Sequence, residues 1–376
     1  MTFRENYKSR RPTTRARLAI WFVLTSGFFV SRNCSIVAAA SADIASPQNF
    51  ILRAAFSMGH LWLLDDSGGI FSVTQGDSRP DNQSPRALVL DLCSKEGQPL
   101  IITCARGGCS DWSMLNWSGN QWILRNRIPT LGDGFLAMSC AERQVTILTT
   151  HRVIEVNDDR QLKITTLKHD LSPKKRWSSL VSIVILNQSN RVLVGKDKGE
   201  FGGGLWSIDK ATGAMTEVAR NDSGDICGGP LNTGCDPING LAAMPWKPGC
   251  VAVAIGLEHL SFHGRLVEIC ADKIRRLYFK PMKEQQARIQ KFDGDEPMDT
   301  VPFFGLAQRD DKLWASAVDG IYRIDASGVA MAAPLPKFSK VGPFNFSFDL
   351  EGFVLVLTEI NAHASLSGSV PMLLPR

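Results

Sequence analysis

Residues 304–336 read FGLAQRDDKLWASAVDGIYRIDASGVAMAAPLP, four short apolar runs separated by turn residues. The runs are Gly305–Gln308, Lys312–Val318, Gly320–Ile324 and Gly328–Ala333. The breaks are Asp310-Asp311, Asp319-Gly320 and Ala326-Ser327-Gly328. Aspartate hydrogen-bonds its own backbone in tight turns, and glycine accepts the positive φ that such turns require. Leu313, Ala315 and Ala317 alternate with Trp314, Ser316 and Val318. That period of two predicts a four-stranded antiparallel meander covered on both faces. One such sheet cannot bury both faces alone and needs neighbours of its own kind.

Working outward, the same pattern recurs. Units can be laid out over Phe50–Gln75, Ala87–Pro129, Gly134–Leu167, Leu180–Val218, Ile238–Lys280, the opening stretch and Gly342–Leu374. Their spacing of about 33–50 residues is that of blade repeats. Helical periodicity is nearly absent; only Lys283–Lys291, KEQQARIQK, reads as a short polar helix. No linker or charge run divides the chain. The expectation is an all-β single propeller, a ring of seven four-stranded blades, with six or eight also fitting the ragged ends. Pairing of the segment near Phe50–Ala55 with the last blade is expected to close the ring and remove its edges.

KLWASAVDGIYRID resembles the LWVGTxxGLYRYD blades of sensor-associated and other periplasmic propellers. GGLWSIDKATGAM (Gly203–Met215) resembles the strand-turn-strand of quinoprotein-type blades. Each likeness covers about one blade and implies a fold, since unrelated functions share such repeats. The Trp-Asp ending of WD repeats and the paired glycines of kelch blades are missing.

The N-terminus is basic, continues with the apolar run Leu18–Val30, and reaches Ala40-Ser41-Ala42. This predicts a secretory signal over residues 1–42 and a propeller over 43–376, in a secreted or periplasmic monomer. Thirteen apolar residues are short of the about 20 that span a bilayer, so membrane association is expected only if the segment stays uncleaved as an anchor. Without residues 1–42 the chain carries 35 basic against 36 acidic residues, and the +5 of the whole chain gives no reason to expect nucleic-acid binding. Removal of Cys34 leaves eight cysteines, which fit four disulfides in an exported chain. Short spacing favours Cys227–Cys235 and Cys250–Cys270.

In a propeller, the connection from strand 4 to the next strand 1 shares a face with the hairpin from strand 2 to strand 3. The long polar loops fall there: Asn221–Asn239, Pro281–Pro302, Lys196–Gly204, Gly256–Gly264 and Arg106–Asp111. Binding sites usually occupy such loops on a rigid scaffold. Asp225, Asp236, Asn239, Glu258, His259 and His263 are the expected ligand-face residues. His259 and His263 with Asp236 form a candidate divalent-metal set, imidazole and carboxylate suiting Zn²⁺ or Mn²⁺; the competing expectation is that His259 packs on Leu260 and Phe262 while His263 is a solvated turn residue. The acidic run Asp293–Asp299 has the carboxylate density of a Ca²⁺ loop without its spacing. KDKGEFGGG offers backbone amides for an anion or is simply a turn. Trp112, Trp117 and Trp122 form either an aromatic platform or blade packing, with Trp62, Trp206 and Trp314 read as packing.

These features leave two functions open. The first is a binding scaffold for a protein, peptide or glycan on the loop-rich face. The alternative is a lactonase-like hydrolase or lyase using a metal or a His/Asp site at the central channel. The sequence does not decide whether the chain is an enzyme.

Overall fold

The computed structural model describes residues 21–22, 51–74, 80–141, 144–171, 182–199, 202–225, 227–258, 262–271, 273–282, 299–334, 345–347, 353–362 and 366–375. Strand β1 is Trp21–Phe22. The first blade is β2 (Ile51–Ser57), β3 (His60–Asp65), β4 (Ile70–Thr74) and β5 (Asp81–Asn82), and the second is β6 (Leu88–Lys95), β7 (Gln98–Cys104), β8 (Asp111–Trp117) and β9 (Trp122–Pro129). The third is β10 (Phe135–Cys140), β11 (Gln144–Thr149), β12 (Arg152–Asn157) and β13 (Leu162–Thr166). The fourth is β14 (Ser182–Asn187), β15 (Arg191–Asp197), β16 (Leu205–Asp209) and β17 (Met215–Val218). The fifth is β18 (Ile238–Ala243), β19 (Cys250–Glu258), β20 (Phe262–Cys270) and β21 (Lys273–Tyr278). The sixth is β22 (Phe303–Arg309), β23 (Lys312–Ala317), β24 (Gly320–Asp325) and β25 (Gly328–Pro334), the stretch first read above. The fold is a β-propeller.

Among the described residues the chain forms six blades of four consecutive antiparallel strands, not the seven favoured by the spacing. The remainder, β26 (Asn345–Ser347), β27 (Phe353–Ala362) and β28 (Leu366–Pro375), contributes only three strands, and β1 joins β28 in parallel. This mixed sheet packs against β2 and β22, closing the ring by a different construction. The expected closure by Phe50–Ala55 is therefore corrected. That segment's Ile51–Ser57 pairs with β3 as the inner strand of its own blade, because Ala54, Ala55 and Ser57 are already buried there. Apart from Trp21–Phe22, residues 1–42 lie outside the described residues, as does Lys283–Lys291. No α-helix occurs among the described residues.

The core lies in the seams between blades. Trp62 meets Trp117 and Trp122 with ring centroids 5.1 and 5.5 Å apart, so these tryptophans fill the first seam. Trp112 is buried against Phe135 in the second. The fifth and sixth blades approach at backbone distance: a Cβ on Gly264 would lie 2.3 Å from the Pro302 Cα. Glycine is required there by space, not by φ.

Four disulfides form. Cys227–Cys235 and Cys250–Cys270 are the two expected local pairs, the second joining directly opposed positions of β19 and β20. Cys104–Cys109 closes the β7–β8 hairpin, and Cys93–Cys140 links the inner strands of adjacent blades.

Candidate functional site

The connection Val218–Ile238 leads into the fifth blade, and the β19–β20 hairpin rises beside it on the same face. Asp236 stands two residues before β18 and is fully buried. Its Oδ2 accepts hydrogen bonds from Arg265 Nη2 and the Asn232 amide, both at 2.6 Å. Arg265, also buried, donates from Nε to the Pro230 carbonyl at 2.9 Å and from Nη2 to the Gly229 carbonyl at 3.3 Å. Its Nη1 contacts His263 Nε2, which lies 3.3 Å from Asp236 Oδ1. The His263 side chain is 30% exposed.

The connection that follows the blade grips the same hairpin. The Phe262 amide donates to Asp299 Oδ1 at 3.0 Å and the Gly264 amide to Thr300 Oγ1 at 2.8 Å. The β19–β20 hairpin is thus tied to the connections on both sides of its blade.

The third blade repeats this device. Asp133 stands two residues before β10, and His151 occupies the β11–β12 hairpin. His151 Nδ1 lies 3.0 Å from Asp133 Oδ1, its Nε2 lies 3.4 Å from Asp170 Oδ1, and Arg152 pairs with Asp133 Oδ2 at 2.9 Å. In the sixth blade the polarity reverses. Lys280 of the leading connection donates to Asp319 Oδ2 at 2.5 Å and to Tyr322 Oη at 2.9 Å. Burial and the Asp319 charge push the Tyr322 phenol well above its ordinary value.

The β15–β16 loop packs beside Asp236. Among its described amides, Gly202 donates to Gly199, Gly203 to Thr233 and Gly204 to Asp236, all at backbone carbonyls. With these three donors taken, KDKGEFGGG is read as a turn, the other of its two readings. A Cβ on Gly203, at φ +146°, would lie 1.9 Å from the Lys196 carbonyl, which explains the glycine. At the base of the loop, burial raises the Asp197 carboxyl; burial, then the Lys198 charge, lowers the Lys196 ammonium.

Of the expected ligand-face residues, the structure brings Asp236 and His263 together. Asn239 lies in the seam with the sixth blade, donating from Nδ2 to the Gly256 carbonyl at 2.8 Å and the Phe303 carbonyl at 3.3 Å. Its Oδ1 is buried without a hydrogen-bond partner among the described residues. Asp225 is exposed in the loop, where its backbone accepts from Asn221 Nδ2 at 2.6 Å. Glu258 ends β19, while its side chain and all of His259 lie outside the described residues, as do Asp293, Asp295 and Glu296. No group of three or more His, Cys, Asp or Glu among the described residues is placed to hold a metal. The Arg265 guanidinium already supplies the cation beside Asp236. Sequence reading missed Arg265, although the run His263-Gly264-Arg265 was visible, and missed the matching Asp133–His151 pair.

No family model matches the chain, and no curated protein sequence does. Among solved structures it is similar to the WD40 repeats of RRP9, at 9% identity and a TM-score of 0.51, covering 88% of this chain and 95% of that one. The extracellular domain of a hybrid two-component system from B. thetaiotaomicron matches at 12% identity and a TM-score of 0.48 over 95% of this chain. The chain spans 38% and 39% of the two such extracellular-domain structures it matches. At these identities the likeness is to the β-propeller fold alone.

Proposed function

We propose that the chain is a secreted or periplasmic binding scaffold that holds a protein or peptide segment on its loop face, beside Asp236, His263 and the Cys227–Cys235 loop. The observation carrying this reading is the cross-tying of hairpins to connections. A face fixed before binding loses less conformational freedom on association. Four disulfides fit an oxidising compartment. A peptide is favoured over a glycan because, of the candidate platform, Trp112 and Trp117 are buried in seams, while Trp122 packs on Trp62 and Trp117 with its indole N–H donating to the Gln83 carbonyl. The metal-dependent hydrolase reading loses support where Arg265 neutralises Asp236.

The test is selection of a random peptide library displayed on phage against the oxidised full chain, with selected peptides mapped by hydrogen exchange. Protection is expected in 199–204, 229–236 and 262–265. Protection confined to the opposite face, or no enrichment, overturns the reading.

A further inference from the structure

Of the eight cysteines in the four disulfides, Cys227 is the exposed one; the other seven are partly or fully buried. A disulfide is reduced by attack of a thiolate on one of its sulfurs, so access helps decide which bond is reached first. Cys227–Cys235 is the bond that the fold leaves open to such attack.

The same bond closes the loop that holds Arg265, and the two halves of this loop are secured unequally. Beside Cys235, the Cys235 and Asp236 amides both donate to the Asn232 carbonyl, at 3.2 and 2.9 Å, and the Gly234 amide donates to Asn232 Oδ1 at 3.0 Å. The Asn232 amide donates in turn to buried Asp236. The Cys227 half carries the Gly229 and Pro230 carbonyls, which accept from the Arg265 guanidinium. Its Gly228 amide donates to the carbonyl of exposed Asp225 at 3.2 Å. The disulfide thus ties a loosely held half to one anchored on the buried ion pair of the fifth blade.

We propose that Cys227–Cys235 is a redox-sensitive latch on the binding face, opened by a dithiol. One thiolate of the dithiol attacks Cys227 Sγ, and Cys235 leaves as a thiolate and takes up a proton. The second thiol of the dithiol then displaces Cys227 and closes a disulfide of its own. The protein bond gains two electrons and two protons, and the dithiol loses them. Both cysteines lie outside strands, whereas Cys93, Cys104, Cys140, Cys250 and Cys270 are strand residues, so opening this bond leaves the sheet ladders intact. Arg265 keeps Asp236 but loses two fixed carbonyls, and the loop has to be ordered again when a peptide binds. The effect on binding rests on the reading above; the order of reduction does not.

The oxidised full chain is titrated with dithiothreitol, alkylated with iodoacetamide and mapped by mass spectrometry, with hydrogen exchange on the same samples. Cys227 and Cys235 are expected to be alkylated first, with faster exchange in residues 227–232 and the blades unchanged. Prior reduction of any other pair, or unchanged exchange once this one is open, overturns the inference and spares the scaffold. Peptides selected from the phage library are expected to bind the singly reduced chain about tenfold more weakly, the ordering of one side chain converted to affinity. The double variant Cys227→Ser with Cys235→Ser should bind as weakly and should not respond to dithiothreitol. Equal affinity in the oxidised, reduced and serine forms, with the loop face still protected, also overturns the latch. Absence of any selected peptide sinks the scaffold and the effect on binding together.

Discussion

Asp236→Ala should be among the most damaging single substitutions in the fifth blade. Asp236 is fully buried, and the Arg265 side chain opposite it is 3% exposed. Removing the carboxylate leaves a guanidinium that water cannot reach and strands the Asn232 amide, whose hydrogen bond spans 2.6 Å. Breaking a buried pair from one side typically costs about 3–5 kcal/mol. Against a total stability of about 5–15 kcal/mol, that is a large fraction. Urea unfolding followed by tryptophan fluorescence, with disulfides kept oxidised, measures it. The paired variant Asp236→Leu with Arg265→Met should be less destabilised than Asp236→Ala alone, because no charge is left uncompensated. If Asp236→Ala stays within about 1 kcal/mol of the parent, the buried ion pair is not what holds the connection down, and the reasoning fails.

Gly264→Ala places a Cβ 2.3 Å from the Pro302 Cα, so it should destabilise by about 1–3 kcal/mol or more in the same assay. Trp62→Ala empties the aromatic trio of the first seam and loses the indole hydrogen bond to the Ser57 carbonyl at 3.1 Å; about 3–5 kcal/mol is expected. Two carboxyls should respond to pH with opposite sign. Asp197 is raised by burial, so its stabilising contribution is present at acid pH and lost as pH rises through its folded value. Asp197→Asn should therefore stabilise at pH 7 and be neutral in acid. Glu268 is depressed, chiefly by its hydrogen bond to Arg275 and then by Lys247. Its contribution is present at pH 7 and lost as pH falls, so Glu268→Gln should destabilise at pH 7 only.

The repeating meander was legible because period-two alternation and Asp/Gly turns are local properties of the chain. The sixth blade's strands emerged at Phe303–Arg309, Lys312–Ala317, Gly320–Asp325 and Gly328–Pro334, close to their expected runs. Blade number was less legible, because Gly342–Leu374 lacks a fourth run and ring closure is a long-range matter. The Cys250–Cys270 pair was local; Cys93–Cys140 depends on two inner strands lying side by side, which spacing does not encode. Asp236 and His263 could be assigned to one face from strand counting. Arg265 could not be foreseen as their partner, since its role follows from a guanidinium folding back beneath carbonyls 35 and 36 residues earlier in the chain.

The recurrence of the clamp bears on how its residues should be weighed. A device that appears in the third, fifth and sixth blades with aspartate, histidine, arginine, lysine and tyrosine in exchangeable roles is architectural in origin. Each instance ties a strand-2-to-strand-3 hairpin to a connection, which carries few sheet hydrogen bonds of its own. Charge is an economical tie there, because the loops are too polar to pack hydrophobically and too close to water for an unpaired buried group to be tolerated. Function is then to be sought in what a given clamp leaves over. Asp133, Asp236 and Arg265 are used up within their clamps, and His151 is addressed on both nitrogens. The His263 side chain is partly exposed, on a frame that the connections on both sides hold still. A substitution series that found His151→Ala and His263→Ala equivalent in peptide binding would therefore argue that both are merely ties, whereas sensitivity confined to His263 is what a binding face beside the fifth blade requires.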